Sequence, residues 1–200
     1  MIIVEDTNQK IDKHGAVNEY FVEHGIEVIR QRLPCGDYVA MNDKMADVFD
    51  RKARRNISVK MMDLIGTYNV CVDEKYSIQE LCQNVCGPQH ARFRDELVLA
   101  QNNGIKLYVV VRNDPEVIHD KDGVYVANKT ITSLDKLSTW INPRLWIRRR
   151  GQQLYPRATK GVTLMKSCFT LQKKYGCEII LCSSKDAGAK IVELLTTTSN

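Results

Sequence analysis

Short apolar runs alternate along the chain with segments whose apolar residues recur at helical spacing, and this pattern predicts an α/β fold. The apolar runs predict strands near residues 2–5, 26–32, 37–41, 69–74, 105–111 and 177–182. The helical spacing predicts helices near residues 13–24, 133–139, 161–175 and 185–195, and two more between Ser77 and Gly104. The run at 105–111 is apolar throughout, which is typical of a central strand covered on both faces.

Local signals mark several boundaries between these elements. Ser77 and Glu80 match the Ser-x-x-Glu capping box, so a helix is predicted to begin directly after Ser77. Pro88 and Gly104 bracket the next helix, and Asp122-Gly123 predicts the turn of a hairpin. Glu80 therefore has two possible roles, capping the helix or binding a metal ion.

The end of the predicted strand at 69–74 carries residues suited to chemistry. Side chains alternate along a strand, so Asp73 and Lys75 should lie on one face of a sheet, and Val72 and Glu74 on the other. A carboxylate that binds a divalent cation, beside an ammonium that stabilises a hydroxide or a phosphate oxygen, suits metal-assisted phosphodiester hydrolysis. A solvated surface pair is the alternative interpretation.

Two further predicted strand ends carry acids. Asp6 follows the first strand, and Asp37 follows a Pro/Gly turn and opens the third. Together with Asp73 and Lys75, these residues predict a metal cradle built from three strand ends.

An ordered set of motifs resembles the XPF-type nuclease domain, a branch of the PD-(D/E)XK nucleases. The matching segments are Ile3–Thr7, Leu33–Tyr38, Val72–Lys75, Ile78–Leu81, Gln89–Leu97, Gly104–Leu107, Trp140–Arg144, Tyr155–Gly161 and Lys173–Gly176. The chain is most similar to the stand-alone members carried by bacteriophages and prophages. The resemblance implies a restriction-endonuclease-like core, with a mixed central sheet flanked by helices.

The resemblance also implies a mechanism, namely hydrolysis of DNA phosphodiesters with Mg²⁺, for which Mn²⁺ should substitute. Asp37, Asp73 and Lys75 are the expected catalytic residues, with Lys75 orienting water and stabilising charge. The expected metal ligands are Asp6, Asp37, Asp73, the backbone carbonyl of Glu74 and, with lower priority, Glu80 or Glu5. His90 or Arg92, on the following helix, is expected to contact a phosphate near the scissile bond.

A rival catalytic pair lies earlier in the chain. The XPF-type pattern has Glu-Arg-Lys about a dozen residues after the Gly-Asp turn, and Asp50-Arg51-Lys52 occupies that place here. Asp73 and Lys75 are preferred because a helix-like segment and the motif at 89–97 follow them, whereas 53–56 resembles a basic loop. Residues 44–68 are then an insertion, and Asp50 and Lys52 remain the alternative pair.

Composition predicts a single domain spanning residues 1–200. The chain is 44% hydrophobic and 26% charged, as is usual for a globular protein. It shows neither a membrane-spanning apolar run nor a secretory signal pattern, and its seven cysteines are odd in number and scattered. These features predict a cytoplasmic protein with free thiols, no membrane association and no small-molecule cofactor.

Charge is concentrated in one segment. Residues 144–174 contain nine Lys or Arg and no Asp or Glu, so they contribute +9 while the rest of the chain contributes −4. Trp146 and Tyr155 interleave with these cations, which favours DNA binding over a merely solvated basic face. The expected DNA-binding residues in this segment are Arg148, Arg149, Arg150, Arg157 and Lys160.

The predicted function is therefore a metal-dependent DNA endonuclease of phage or bacterial DNA processing, with flaps, forks or junctions as candidate substrates. Two alternatives stay open at this stage. One is a catalytically inactive DNA-binding or scaffold subunit with a nuclease fold, and the other is a junction resolvase, which uses the same cradle. A homodimer is a further option that the sequence leaves open.

Overall fold

The computed structural model describes residues 1–8, 15–119 and 125–197. Within these residues the strands are β1 (Ile2–Glu5), β2 (Glu27–Arg30), β3 (Tyr38–Ala40), β4 (Val70–Lys75), β5 (Lys106–Arg112), β6 (Glu116–His119), β7 (Tyr125–Asn128), β8 (Arg148–Arg149), β9 (Gln152–Gln153) and β10 (Glu178–Cys182). The helices are α1 (Gly15–Glu23), α2 (Asp43–Arg54), α3 (Ile78–Cys86), α4 (His90–Asn102), α5 (Gly161–Tyr175) and α6 (Ala187–Thr197). Short 3₁₀ helices lie at Met61–Leu64, Leu134–Thr139 and Pro143–Trp146.

In the described part of the chain, six strands form a mixed sheet in the order β10-β5-β4-β3-β1-β2. β3 runs antiparallel to both of its neighbours, β1 and β4, while β1 pairs in parallel with β2 and β4 in parallel with β5. The start of β3 therefore lies at the same edge as the ends of β1 and β4. This topology brings residues that follow β1 and β4 next to the residue that precedes β3.

Side-chain alternation divides the core into two layers. Ile3, Val72 and Val110 pack on the face that α1 and α6 cover. Val4, Cys71 and Val109 pack on the opposite face, beneath α2, α3, α4 and α5. Burial of apolar side chains on both faces supplies the main driving force for folding, and it fixes which face each strand-end residue must occupy.

Most predicted elements are present, with boundaries shifted by a few residues. The prediction that α3 begins after Ser77 is confirmed, because Ser77 Oγ accepts from the amide of Glu80 at 3.1 Å. Glu80 Oε2 in turn accepts from the amide of Tyr76 at 2.9 Å. Residues 13–14 of the first predicted helix, and the Asp122-Gly123 turn, lie outside the described residues, although β6 and β7 do pair as an antiparallel hairpin.

The expectation of a basic loop at residues 53–56 is wrong for its first half, because α2 continues through Arg54, while Arg55 and Asn56 form the turn that follows the helix. Asn42 caps its start by accepting from the amide of Met45 at 3.0 Å, and the cations Arg51, Lys52 and Arg54 lie in its last turn. Positive side chains at a helix C-terminus interact favourably with the helix dipole. Whether residues 44–68 are an insertion stays a prediction, but they fold as a helix followed by a short 3₁₀ turn.

Two further sequence predictions concern the state of the cysteines and the presence of membrane-spanning helices. All seven cysteines are free thiols, as predicted, and each is buried or half-buried. In the described ranges, no helix combines the length and the apolar character that a membrane crossing requires.

Candidate active site

A polar cleft of about 870 Å³ opens at the sheet edge where β1 and β4 end and β3 begins. Its floor carries the sequence-predicted strand-end residues, and α3 and α4 form one wall. The lining side chains with ionisable or amide groups include Asp6, Arg32, Asp37, Asp73, Lys75, Gln79, Glu80, Gln83, Arg92, Glu96 and Arg144. Asp6, Asp37, Asp73 and Lys75 are therefore brought together, as the sequence predicts.

Asp73 and Lys75 form a buried ion pair at the end of β4. Lys75 Nζ lies 2.5 Å from both carboxylate oxygens of Asp73. Glu74, between them, points to the opposite face, where its Oε1 lies 2.8 Å from Arg112 Nε. The predicted alternation of these three side chains is confirmed. Burial alone would lower the pKa of Lys75, but the charges of Asp73, Asp37 and Glu96 raise it above its ordinary value, so Lys75 carries a proton.

Backbone hydrogen bonds hold Asp37 against both neighbouring strands. Its amide donates to the carbonyl of Val72 at 2.8 Å, and its own carbonyl accepts from the amide of Asp6 at 2.8 Å. Its Oδ2 accepts from the amide of Glu74 at 2.7 Å. Burial, followed by the nearby Asp73 charge, raises the pKa of Asp37 well above its ordinary value. The carboxyl group is thus held in place at a site that disfavours its negative charge.

Gly36 permits the close approach of this turn to β4. Its φ is +76°, and a Cβ at this position would lie 2.8 Å from Cys71 Cβ and 2.9 Å from Cys71 Sγ. Both the left-handed backbone and the missing side chain are therefore required. Below the turn, the sulfur atoms of Cys35 and Cys71 are 3.5 Å apart.

Glu96 of α4 is a functional candidate that the sequence interpretation missed. Its Oε1 accepts from the amide of Gly36 at 2.9 Å, so it braces the turn that carries Asp37. Burial and then the charge of Asp73 raise the pKa of Glu96 above its ordinary value. The available signal was an acid between Phe93 and Leu97, on the border of the buried stripe of its helix.

Gln79 is a second missed residue in the cleft wall. Its side-chain amide nitrogen and oxygen are both buried, and neither has a hydrogen-bond partner among the described residues. An unsatisfied buried amide costs free energy, so Gln79 is an unusual residue for this wall on structural grounds alone.

The remaining predicted carboxylates occupy different positions. Asp6 lines the cleft, and its Oδ1 accepts from the amide of Leu33 at 3.0 Å. Glu80 also lines the cleft while it caps α3, so both interpretations of this residue remain compatible with its position. Glu5 faces the opposite side of the sheet, where its Oε2 lies 3.3 Å from Arg30 Nε.

The carboxylates of the cleft fit a cation that needs few protein ligands. Among the described residues, no three His, Cys, Asp or Glu side chains lie close enough to hold a metal ion on their own. Mg²⁺ is commonly held by one or two carboxylates and keeps several waters. Asp37 and Asp73 can supply those two carboxylates, and a bound cation would offset the repulsion that raises the pKa of Asp37.

The rival pair lies apart from this cleft. Asp50 is exposed on α2, and Lys52 Nζ forms an ion pair with Asp63 Oδ2 at 2.7 Å. Neither residue lines the polar cleft. Their geometry is that of a surface helix and supports the preference for Asp73 and Lys75.

The predicted DNA-binding residues spread over several surfaces. Arg92 lines the cleft, whereas His90 is exposed at the start of α4 and does not line it. Arg148, Arg149 and Arg150 are exposed on and beside the small β8–β9 hairpin, and Lys160 is exposed directly before α5. Arg144 was counted only as part of the basic segment, but it lines the cleft.

Comparison with known families adds to this geometry. Residues 6–195 match the ERCC4 domain. The chain belongs to the ERCC4 domain family. A search of curated proteins found no match. The predicted XPF-type nuclease domain is therefore confirmed, while the relation to phage members stays a prediction.

Two solved structures support the fold of this ERCC4 domain. XPF from Aeropyrum pernix matches with 12% identity and a TM-score of 0.53, covering 100% of this chain and 66% of that chain. The same protein in complex with DNA matches with 14% identity and a TM-score of 0.53, covering 99% of this chain and 64% of that chain. The chain thus corresponds to slightly less than two thirds of those proteins. The predicted mixed sheet flanked by helices is confirmed.

The turn at Gly36 yields a stability prediction. Gly36→Ala and Gly66→Ala both place a side chain at a positive φ, but only Gly36 meets Cys71, since nothing lies within 4 Å of a Cβ at Gly66. We expect Gly66→Ala to cost about 1–2 kcal/mol for the left-handed backbone. Gly36→Ala should cost roughly 1–3 kcal/mol more because of overpacking. Urea unfolding of both variants measures the difference, and equal losses would contradict the close approach.

The raised pKa of Asp37 yields a prediction about pH. Because its pKa is higher in the folded state, Asp37 favours folding at low pH, and this benefit is lost as pH rises from the ordinary aspartate range through the folded pKa. In metal-free buffer at pH 8, Asp37→Asn should therefore be more stable than the wild type. The difference should shrink toward pH 4.

Thermal melts with EDTA across this pH range provide the measurement. Asp47→Asn is the control, because the Asp47 carboxylate is exposed, pairs with Arg51 on the surface of α2 and does not line the cleft. Added Mg²⁺ should raise the melting temperature of the wild type more than that of Asp37→Asn. A variant that is less stable than the wild type at pH 8 without metal would contradict the assignment.

Proposed function

We propose that this ERCC4 domain is a divalent-metal-dependent endonuclease that hydrolyses DNA phosphodiester bonds. The observation that carries the proposal is the buried set of Asp37, Asp73 and Lys75 in one cleft. Two carboxylates and one protonated lysine at the edge of a sheet suit phosphodiester hydrolysis better than any purely structural role. Burying these charges costs free energy and adds no stability to the fold, so a purely structural role does not explain them.

Asp37 and Asp73 would hold the metal ion, with Asp6, Glu80 and the backbone carbonyl of Glu74 as further contacts, direct or through water. When bound, Mg²⁺ or Mn²⁺ supplies a Lewis acid and lowers the pKa of a coordinated water. The amide of Glu74 fixes the Asp37 carboxylate, and Glu96 fixes the turn that carries it. These contacts orient the ligands before substrate binds.

Lys75 acts as a charged donor. Without a bound cation, the neighbouring carboxylates raise the pKa of Lys75 above its ordinary value, which favours the charged ammonium. Its ammonium can donate hydrogen bonds to the attacking water and to a non-bridging phosphate oxygen, where negative charge grows in the transition state. The negative charge of Asp73, 2.5 Å away, holds the ammonium at the cleft floor.

Cations around the cleft would hold the DNA backbone. Arg92 and Arg144 line the cleft, and the acid-free segment 144–174 extends the positive surface through the β8–β9 hairpin. The solved complex of archaeal XPF with DNA supports DNA as the ligand class. A preference for flaps, forks or junctions, a phage or bacterial cytoplasmic setting and a homodimer complete the proposal.

A panel of DNA structures tests the activity. Single-stranded, nicked, flap, fork and four-way substrates are incubated with Mg²⁺, Mn²⁺ or EDTA, and the products are mapped. We expect endonucleolytic cleavage with either metal and none with EDTA. Preferential cutting of four-way junctions would assign the resolvase alternative. Binding without cleavage of any substrate would assign the inactive DNA-binding alternative and overturn the proposal.

The same panel discriminates between the two candidate pairs. Asp73→Ala and Lys75→Ala should lower kcat at least about a hundredfold, because each removes a group that acts on the transition state. Asp50→Ala and Lys52→Ala should stay within about threefold of the wild type, since they change a surface helix. Circular dichroism verifies that each variant is folded. A reversed order would make Asp50 and Lys52 the catalytic pair.

The basic hairpin yields a prediction about salt dependence. Each phosphate contact contributes a slope of about −0.9 in a log–log plot of affinity against salt concentration. Replacing Arg148, Arg149 and Arg150 together by Ala should make the slope shallower by roughly one to three units, while kcat at saturating DNA is retained.

A triple alanine variant of Arg51, Arg54 and Arg55, at the C-terminal end of α2 and its cap, is the matched control, since it removes the same charge from a different surface. Titrations at several salt concentrations compare both with the wild type. If the two triple variants behave alike, the effect reflects net charge, and the hairpin does not contact DNA.

A further inference from the structure

A second pocket of about 420 Å³ lies beside the catalytic cleft. It is formed by the end of α3, the Gly87-Pro88 turn and the segment 154–159. Gln83 and Arg144 line both this side pocket and the catalytic cleft, so the two cavities lie next to each other and share part of their walls. A strand bound across the cleft would therefore pass close to the side pocket.

The walls of the side pocket differ in chemistry from those of the cleft. They are largely apolar, with contributions from Cys82, Pro88, Leu154, Tyr155 and Pro156. Two cations, Arg144 and Arg157, stand at the pocket, and no acidic residue lines it among the described residues. The cleft, in contrast, is lined by carboxylates. The carboxylates of the cleft suit a metal ion. The side pocket instead suits a ligand that has an apolar body next to a negatively charged group.

Tyr155 and Arg144 together form an aromatic and cationic surface. The guanidinium carbon of Arg144 lies 5.7 Å from the centroid of the Tyr155 ring, and Tyr155 is 45% exposed. Exposed aromatic rings flanked by arginines are the usual stacking platforms for unpaired bases, because every base has a π face and adjacent phosphates pair with the cations. An apolar peptide would have no use for two arginines.

We propose that the side pocket receives an unpaired nucleobase of the strand whose phosphate is cleaved. This inference rests on the proposed nuclease function. A base within a duplex is paired and stacked, and moving it out costs free energy, whereas a single-stranded base is free to enter. The pocket therefore selects DNA with an unpaired nucleotide at a fixed distance from the scissile phosphate, which narrows the substrate class to single strands and to the boundaries of flaps and forks.

An abasic walk tests the proposal. A set of flap substrates carries one tetrahydrofuran abasic residue at successive unpaired positions, and Kd in EDTA and KM with Mg²⁺ are measured for each. We expect Kd and KM to rise about tenfold at one position, or at two adjacent ones, because one stacking contact is lost there. At the other positions the values should stay within about twofold of the intact substrate.

Variants link this position to the pocket. Tyr155→Ala removes the platform, and Ala158→Phe fills the pocket without changing its charge. Both variants should raise the Kd and KM of the intact substrate. In both, the additional rise in Kd and KM at the sensitive abasic position should disappear. Phe169→Ala is the control, because Phe169 is 44% exposed on α5 and lines neither cavity. Thermal melts verify folding, and the two pocket variants alter the site in opposite ways, so a folding defect in one leaves the other informative.

The outcomes separate this inference from the proposed function. A penalty that is uniform along the flap, or unchanged in folded Tyr155→Ala or Ala158→Phe, would overturn the base pocket even if cleavage is robust. A position-specific penalty in binding without any cleavage would support the pocket and overturn the nuclease assignment. Absence of DNA binding would overturn both.

Discussion

Burial of two like charges beside a single ammonium is the constraint on which this structure depends. Asp37 and Asp73 are both buried, and their repulsion would expel one of them from the interior without compensation. Lys75 supplies the opposite charge, and the backbone amide of Glu74 holds the Asp37 carboxylate in place. The positive φ of Gly36 and the reach of Glu96 both serve to keep the Asp37 turn against β4. The Asp37 carboxyl group is therefore kept in the cleft by the packing and hydrogen bonding of the turn that carries it.

The sheet topology makes that burial possible. If β3 ran parallel to its neighbours, its start, and with it Asp37, would lie at the far end of the sheet, but β3 runs antiparallel between β1 and β4 and begins where they end. The opposite face of the same edge also holds charges, which form the pairs Glu74–Arg112 and Glu5–Arg30. Alternation along β4 thus places Asp73 and Lys75 on the face that forms the cleft floor and Glu74 in a pair with Arg112 on the other face. One residue of register shift would exchange these roles.

Sequence patterns predicted most of the sheet and the centre of the site, because apolar runs and period-two alternation are local properties. They identified Asp6, Asp37, Asp73 and Lys75 as a convergent set, which the cleft confirms as geometry. Glu96 was missed because its contact with Gly36 spans sixty residues and leaves no local signal. The β8–β9 hairpin was missed because two-residue strands of Arg and Gln lack an apolar face. The sequence interpretation predicted no helix at α2, because few of its residues are apolar and the cap at Asn42 was overlooked.

The shared position of Arg144 has an evolutionary consequence. The ligands of the proposed metal belong to sheet edges, where almost any replacement disturbs the core, whereas the side pocket owes half its wall to the loop 154–159. Loops generally tolerate substitution better than the elements they connect. Under the proposed function, substrate selection can therefore change in this loop while the proposed metal ligands stay fixed, and Arg144 lies where the two parts meet.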